Sequence, residues 1–344
     1  MQSGNAVDED WDLLVSFFPS NWRDLARRVA VLPFESISSS KDDGYFADGV
    51  QDEILNNLAK IAQLKVISRT SVMQYRADAK RDMRQIASAL GVANVVEGTV
   101  HREGNRVRVS AQLVDARKDN AVWADSYDRD LTDIFAIQSE VAQAIAGKLS
   151  AALSPDEQQR IEQKPTDNIE AYDLYLQAKK KIANAEILVG GDPEKPKHDA
   201  LSLLQRAVQL DPNFAKAYCL IAFAHDTLYV EFDPTAERRT LGDKAINEAL
   251  GLQPNLPEVH LAYANHLYRS YRNYERARSE LAIAKRGLPN TAEVIYLEAL
   301  MNRRQGKFDA AEQSFNATIQ LDPQNPQPVF DWAETLLYPA VFDS

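Results

Sequence analysis

The chain has 344 residues, enough for two or three domains at about 100 to 200 residues each. Its 45% hydrophobic and 26% charged content matches a globular protein and excludes a disordered or fibrous one. A net charge of -11 is opposite in sign to the footprint of a protein that grips phosphates, which argues against nucleic acid as a partner of this chain. Cys219 is the one cysteine, so neither an intrachain disulfide nor a Cys-based zinc site can form. No apolar run approaches the roughly 18 residues that a membrane span needs. The N-terminal stretch Met1 to Asp10 is acidic where a secretory signal is basic. A cytoplasmic location is therefore expected, with a periplasmic one if a membrane-anchored N-terminal part precedes the chain.

In chain order, residues 1–28 read as a leader with short helix-prone pieces, Trp11 to Phe18 and Trp22 to Arg28. Val29 to Phe34 is a short apolar run expected to be a buried strand. Phe46 to Leu64 places Phe46, Val50, Ile54, Leu55, Leu58 and Ile61 at helical spacing, with Asp48 and Asp52 near its start. Leu64 to Ser68 reads as a second strand. Met83 to Leu90 reads as a second helix, stopped by Gly91 where a left-handed residue costs least. Val92 to Arg102 and Arg106 to Ala116 flank the turn Glu103-Gly104-Asn105, and Val107, Val109, Ala111 and Leu113 alternate with Arg106, Arg108, Ser110 and Gln112, one face buried and one wet. Ala121 to Arg129 adds a strand, and Ile134 to Leu153 a helix ending at Ser154-Pro155. The resulting order over residues 29–155 is β-α-β-α-β-β-β-α, an α/β sandwich of one sheet under helices.

Seven blocks in this region carry a resemblance: Val29 to Phe34, Tyr45-Phe46-Ala47-Asp48-Gly49, Val66 to Ser71, Leu90-Gly91-Val92, Val96 to Val100, Ala111 to Ala116, and Trp123 to Arg129. Together and in order they resemble the bacterial TolB-like N-terminal domain. The resemblance implies a domain that usually sits between an output module (a nucleotide cyclase, a winged-helix DNA-binding domain or a protein kinase, with a membrane segment) and a C-terminal helical repeat array. Neither output module nor membrane segment is legible in this chain.

Residues 156–344 contain a repeat. Leu210-Asp211-Pro212, Leu252-Gln253-Pro254, Leu288-Pro289-Asn290 and Leu321-Asp322-Pro323 place prolines 42, 35 and 34 residues apart, against about 34 for a tetratricopeptide repeat. Ala200, Leu204 and Ala207; Gly242, Ile246 and Ala249; Ala277, Leu281 and Ala284; and Ala311, Phe315 and Thr318 keep step as second-helix packing positions. An all-α tetratricopeptide-repeat solenoid is thus expected from about Asn168, with its first unit interrupted by Gly190-Gly191-Asp192-Pro193. The eight extra residues of the long spacing are assigned to a loop around Phe232 to Glu237. Trp332 to Tyr338 reads as a first helix without its partner, leaving Val329, Trp332, Leu336 and Leu337 open to fraying, fold-back or a second copy of the chain.

Chemistry is sparse. His260 and His266 are six residues apart, on different helical faces, which disfavours a metal site. Cys219 within a helix reads as a small buried hydrophobe. No phosphate loop, nucleophile elbow, kinase or cyclase signature is present, so no catalytic residue, cofactor or metal is assigned and the chain is expected not to be an enzyme. Asp48-Gly49 reads either as a helix cap or a ligand position. Arg69-Thr70-Ser71 reads either as a turn or an anion site at exposed N-H groups. First helices of a repeat array line its concave face, which selects Phe223, Asn265, Tyr268, Arg269, Tyr296, Leu300, Arg303 and Arg304 as a groove for a protein or peptide partner. Arginine there suits a partner carboxylate, and these exposed side chains are expected to contribute little to folding. The expected function is a non-catalytic interaction or regulatory protein of a bacterial signalling or envelope system. The alternative is a severed regulatory part of a cyclase or winged-helix regulator.

Overall fold

A computed structural model describes residues 25–37, 44–76, 81–185 and 192–342. The leader up to Asp24, Gly190-Gly191 and the side chain of Leu337 lie outside the described residues. The first half is a small mixed sheet with strands β1 (Arg28–Val31), β2 (Glu35–Ser36), β3 (Lys65–Val66), β4 (Asn94–Glu103), β5 (Arg106–Asp115) and β6 (Asn120–Asp130). Their order is β3-β1-β4-β5-β6, with β2 beside β4. β1 runs parallel to β3 and β4, whereas β4, β5 and β6 form an antiparallel meander turned at Gly104, whose φ of 57° suits glycine.

Alternation along β1 explains the layering. Val29 and Val31 face helices α1 (Gly44–Ala59) and α4 (Ile134–Lys148), while Ala30 and Leu32 face the short α2 (Arg69–Val72) and α3 (Met83–Leu90). β5 and β6 keep a wet face, because α2 and α3 cover the other end of the sheet. There Arg106 and Arg108 reach Asp128, and Ser110 meets Ser126. Asp82 caps α3 and Gly91 ends it with φ 63°.

The strand expected over Val29 to Phe34 ends at Val31, and β2 was not expected. Asp48-Gly49 is not a cap: both residues sit inside α1, a turn past its start at Gly44. Arg69-Thr70-Ser71 is not a turn but the first three residues of α2, capped by Ser68. The helix expected to reach Leu153 stops at Lys148, with Ser150 at a φ of 53°. Ser154-Pro155 then opens α5 (Pro155–Glu162) through a reciprocal capping box with Glu157.

The second half is a TPR-like helical solenoid. Its hairpins are α6 (Ile169–Ala185) with α7 (Lys195–Leu210), α8 (Ala215–Glu231) with α9 (Ala236–Leu252), α10 (Pro257–Tyr271) with α11 (Tyr274–Gly287), and α12 (Ala292–Arg304) with α13 (Phe308–Leu321); α14 (Gln327–Phe342) follows. All the small and large packing positions read from the repeat are buried. The long spacing is not a looped insertion. α8 and α9 are 17 residues each and are joined across Phe232 to Thr235, so the extra residues lengthen the helices.

The two halves are not separate bodies joined by a linker. One buried cluster runs from Val29, Phe46 and Ile137 through Tyr172, Leu176 and Phe214 to Ile246. Gly49 is the contact point of α1 with α6, since a Cβ there would lie 2.4 Å from Leu176 Cδ1.

Candidate functional site

The loops between hairpins and the first turns that follow them bring Lys216, Glu258, Asn290 and Asp322 against the sheet domain, the first two within the opening turns of α8 and α10 and the last two in the loops ahead of α12 and α14. Against these residues lies the stretch from Asp48 to Ser71. Lys216 Nζ is 3.4 Å from both Glu53 Oε2 and Glu258 Oε1. Lys60 Nζ donates to Asn57 Oδ1 and to the Arg160 carbonyl at 3.1 Å each, 3.8 Å from Glu258 Oε1. Burial alone would raise the Glu258 carboxyl, but Lys216 and Lys60 bring it down to about 2. Burial pushes the Lys60 ammonium down, against the pull of Glu258. Farther along, the Asn290 side chain donates to the Ile61 carbonyl at 2.7 Å.

The residues of the second sequence-derived site come together in this seam. Asp48, buried, pairs with Arg76 at 3.0 Å and Lys180 at 3.4 Å. Arg69 Nε lies 3.7 Å from Asp52 Oδ1, and Lys179 pairs with the same carboxylate. Burial acts to raise the Asp52 pKa, yet Lys179 and Arg69 hold it below the usual carboxylate range. Gly49 packs on Leu176 and Thr70 stays exposed. An anion does meet the Arg69-Thr70-Ser71 segment, and this chain supplies it: Ser68 and Ser71 both donate to Asp322 Oδ1, the latter at 2.7 Å.

Three of the groove residues, Arg269, Tyr296 and Arg303, reach the neighbouring first helix. The Arg269 guanidinium of α10 lies 5.6 Å from the Phe223 ring centre on α8. Tyr268 packs on Tyr274, with ring centres 6.0 Å apart. Tyr296 on α12 donates to the Asp331 carboxylate of α14; its burial and that carboxylate raise the phenol. Arg303 Nη1 sits 3.0 Å from Asp331 Oδ1 and 3.5 Å from Glu334 Oε2. Leu300 flanks the Phe315 cluster, Asn265 is half-buried, and Arg304 is exposed. Arg303 and Tyr296 therefore hold α14 to the array, contrary to the expectation that groove side chains contribute little to folding. An ion pair whose partners are only 13% and 10% exposed is costly to break from one side.

Sequence reading missed a buried cluster. His266 Nδ1 and Nε2 donate to Asp226 Oδ1 at 2.7 Å and Asp243 Oδ1 at 2.9 Å, while Ser270 and Tyr271 donate to the same two carboxylates. Two carboxylate acceptors favour a proton on both ring nitrogens, the imidazolium form, and outweigh burial to raise its pKa. Its signal was available in the polar residues Asp226, His266 and Ser270 on otherwise apolar helical faces. His260 is separately held by Glu280 at 2.6 Å. Cys219 is buried, its thiol pushed up to about 12 by burial. Among the described residues no group of three or more His, Cys, Asp or Glu is placed to hold a metal ion.

Residues 25–144 match the family described as HilA/YgeH-like transcriptional regulator, second domain. Over 238 residues the chain is 33% identical to putative adenylate cyclase 3 of Rhizobium meliloti (strain 1021), a match spanning 69% of this chain and 39% of that protein. Solved structures similar to it include a thermophilic TPR protein of Thermus thermophilus (16% identity, 60% of this chain and 95% of that one, TM-score 0.39). TolB of Acinetobacter baumannii is similar at 18% identity over 39% of this chain and 31% of that one, TM-score 0.30. No described helix is long and apolar enough to cross a membrane.

Proposed function

We propose that the chain is a non-catalytic regulatory and protein-interaction unit of a bacterial signalling system that binds an extended or helical partner segment along its first helices. The observation that supports this reading is the line of half-buried Phe223, Asn265, Tyr268, Arg269 and Leu300 on three successive first helices, a repeated surface of aromatic, amide and cationic groups. Its partner is a protein carrying Asp or Glu beside an apolar anchor, because the Arg269 guanidinium pairs bidentately with carboxylates. The chain acts in the cytoplasm, without cofactor or turnover of its own, and a second copy is the candidate for the open face of α14.

The similarity to a putative adenylate cyclase favours a second reading, the regulatory part of a cyclase; the chain spans 39% of that relative's length. Capture of acidic peptides by the full chain tests the first reading. Replacing Asn265 and Tyr268 together by Ala should weaken such binding at least tenfold. Parent-like affinity in that variant would remove the groove assignment. Cyclase turnover lost on mutation of one of the chain's own residues would remove the non-catalytic reading.

A further inference from the structure

The α/β domain holds the two ends of the array by different means. The cluster that buries Phe46 and Tyr172 runs into the first two hairpins, with Ala262 and Tyr263 at its margin. Leu267, Leu281, Leu288, Leu297 and Met301 form a cluster of their own, and Phe315 a further one. Contact between the sheet domain and the loop ahead of α14 is instead polar and dense. Asp322 accepts from Ser68 and Ser71. The Ser68 amide donates to the Leu321 carbonyl at 2.7 Å, and Arg28 to the Gln320 carbonyl at 2.6 Å. Gln324 gives its amide to Ser71 Oγ at 2.9 Å and its side chain to the Ala89 carbonyl at 3.3 Å.

We propose that this Asp322 clasp is the curvature lock of the repeat array: it ties the last hairpin to β3 and α2, so that the bend of the first-helix surface is set by the sheet domain. Two physical points lead there. Stacked hairpins contact only their neighbours, so a solenoid flexes cumulatively unless something ties its far end back. Such a tie made of hydrogen bonds exchanges its partners for water on opening. The serines that meet Asp322 belong to α2 and its cap, the short element packed on Ala30 and Leu32, so a displacement of that edge moves the last hairpin. No particular partner is needed for this inference, and its test reads conformation alone.

The test is hydrogen exchange and small-angle scattering on the full chain, comparing the parent with Asp322→Ala and Ser71→Ala. The reporter is the Ser68 amide, whose acceptor, the Leu321 carbonyl, neither substitution removes. The expected result is at least tenfold faster exchange at Ser68 and a larger radius of gyration in both variants, with amides of α6 to α9 and of α13 keeping parent-like protection. Three outcomes overturn the proposal: parent-like exchange and size in Asp322→Ala, an effect in one variant and not the other, or loss of protection throughout α13, which would make Asp322 a support of that hairpin's own fold. Should Asp322→Ala fail to fold, Asp322→Asn replaces it under the same criteria.

Discussion

The first two hairpins and the last two are built from the same repeat, yet they stand in different relations to the sheet domain. α6 is part of the sheet domain's core: Tyr172 meets Phe135 edge to face with 4.8 Å between ring centres, and Leu176 lies where a side chain on Gly49 would go. Beyond Tyr263 the same domain meets the array through polar contacts at Asn290, Gln320, Asp322 and Gln324, in the loops and at the end of α13. Apolar burial is additive and rigid, whereas polar loop contacts are directional and replaceable by water. A chain whose proximal repeats are fused and whose distal repeats are clasped has one fixed end and one adjustable end.

The largest expected effect comes from removing the same side chain on each side of that divide. Phe46 and Phe315 are both fully buried, and Phe to Ala in a core costs about 3 to 5 kcal/mol. Phe46→Ala should lower the main unfolding transition of sheet and proximal hairpins together. Phe315→Ala should leave that transition in place and release the last hairpin as a separate early step, as nearest-neighbour stability in a solenoid implies. Denaturation followed by exchange mass spectrometry distinguishes the two. A single cooperative loss in both variants would erase the distinction.

Next comes Gly49→Ala. In an exposed helix interior this change would stabilise by about 1 kcal/mol. Here the added Cβ meets Leu176, and overpacking costs about 1 to 3 kcal/mol, so the net sign is destabilising. Gly251, within α9, is the control: a Cβ added there meets open space, and Gly251→Ala should be neutral or stabilising.

A third prediction concerns pH and lies in the middle of the array. Burial acts to lower the His266 pKa, but its hydrogen bonds and charge interactions with Asp226 and Asp243 outweigh it and leave the value raised above 6.5. A raised folded pKa means that the contribution is fully present below about 6.5, the unfolded value, and is lost as pH rises through the folded one. The α8–α10 contact should therefore weaken as pH rises above about 6.5 through the raised folded value, and His266→Gln should flatten that dependence. Denaturation midpoints over a pH series check it; a parent-like slope in the variant would refute the assignment.

Much of this fold was legible because its signals are local. Met83 to Leu90 followed by Gly91, the Gly104 hairpin and the Ala-Leu-Ala spacing of the second helices each specify their element without tertiary information. Lys216, Glu258, Asn290 and Asp322 were not legible as a seam, because they become neighbours only when curvature brings their loops into register. Asp48 and Ser71 were singled out as ligand and anion positions, and within the chain their side chains meet Lys180 and Asp322. A sequence shows that a carboxylate or hydroxyl needs a partner; it does not show that Lys180 or Asp322, from far along the chain, supplies it. Arg303 was misjudged for the same reason, since Asp331 lies on the next first helix.

The smallest expected effect falls at the junction of the two halves, where a local signal was available and overlooked. Ser154-Pro155-Asp156-Glu157 is a capping box: the Ser154 hydroxyl accepts from the Glu157 amide at 3.3 Å, and Glu157 Oε2 accepts from the Ser154 amide at 2.8 Å. Glu157 Oε1 also accepts from the Ala62 amide at 2.8 Å, so the cap of α5 is pinned to the sheet domain beside the seam. Losing a serine cap costs about 1 kcal/mol. Ser154→Ala should lower stability by about that much, because Pro155 still favours the helix start and Glu157 keeps its bond to Ala62. Glu157→Gln weakens both acceptor bonds at once, and its loss should exceed that of Ser154→Ala. The Glu157 contribution should also be lost as pH falls, because its carboxyl, which burial alone would raise, is held below its ordinary value by the Ala62 and Ser154 amides. Equal losses in the two variants, measured by denaturant midpoint at neutral pH, would show that the cap acts on α5 alone and not on the join between the sheet domain and the first hairpin.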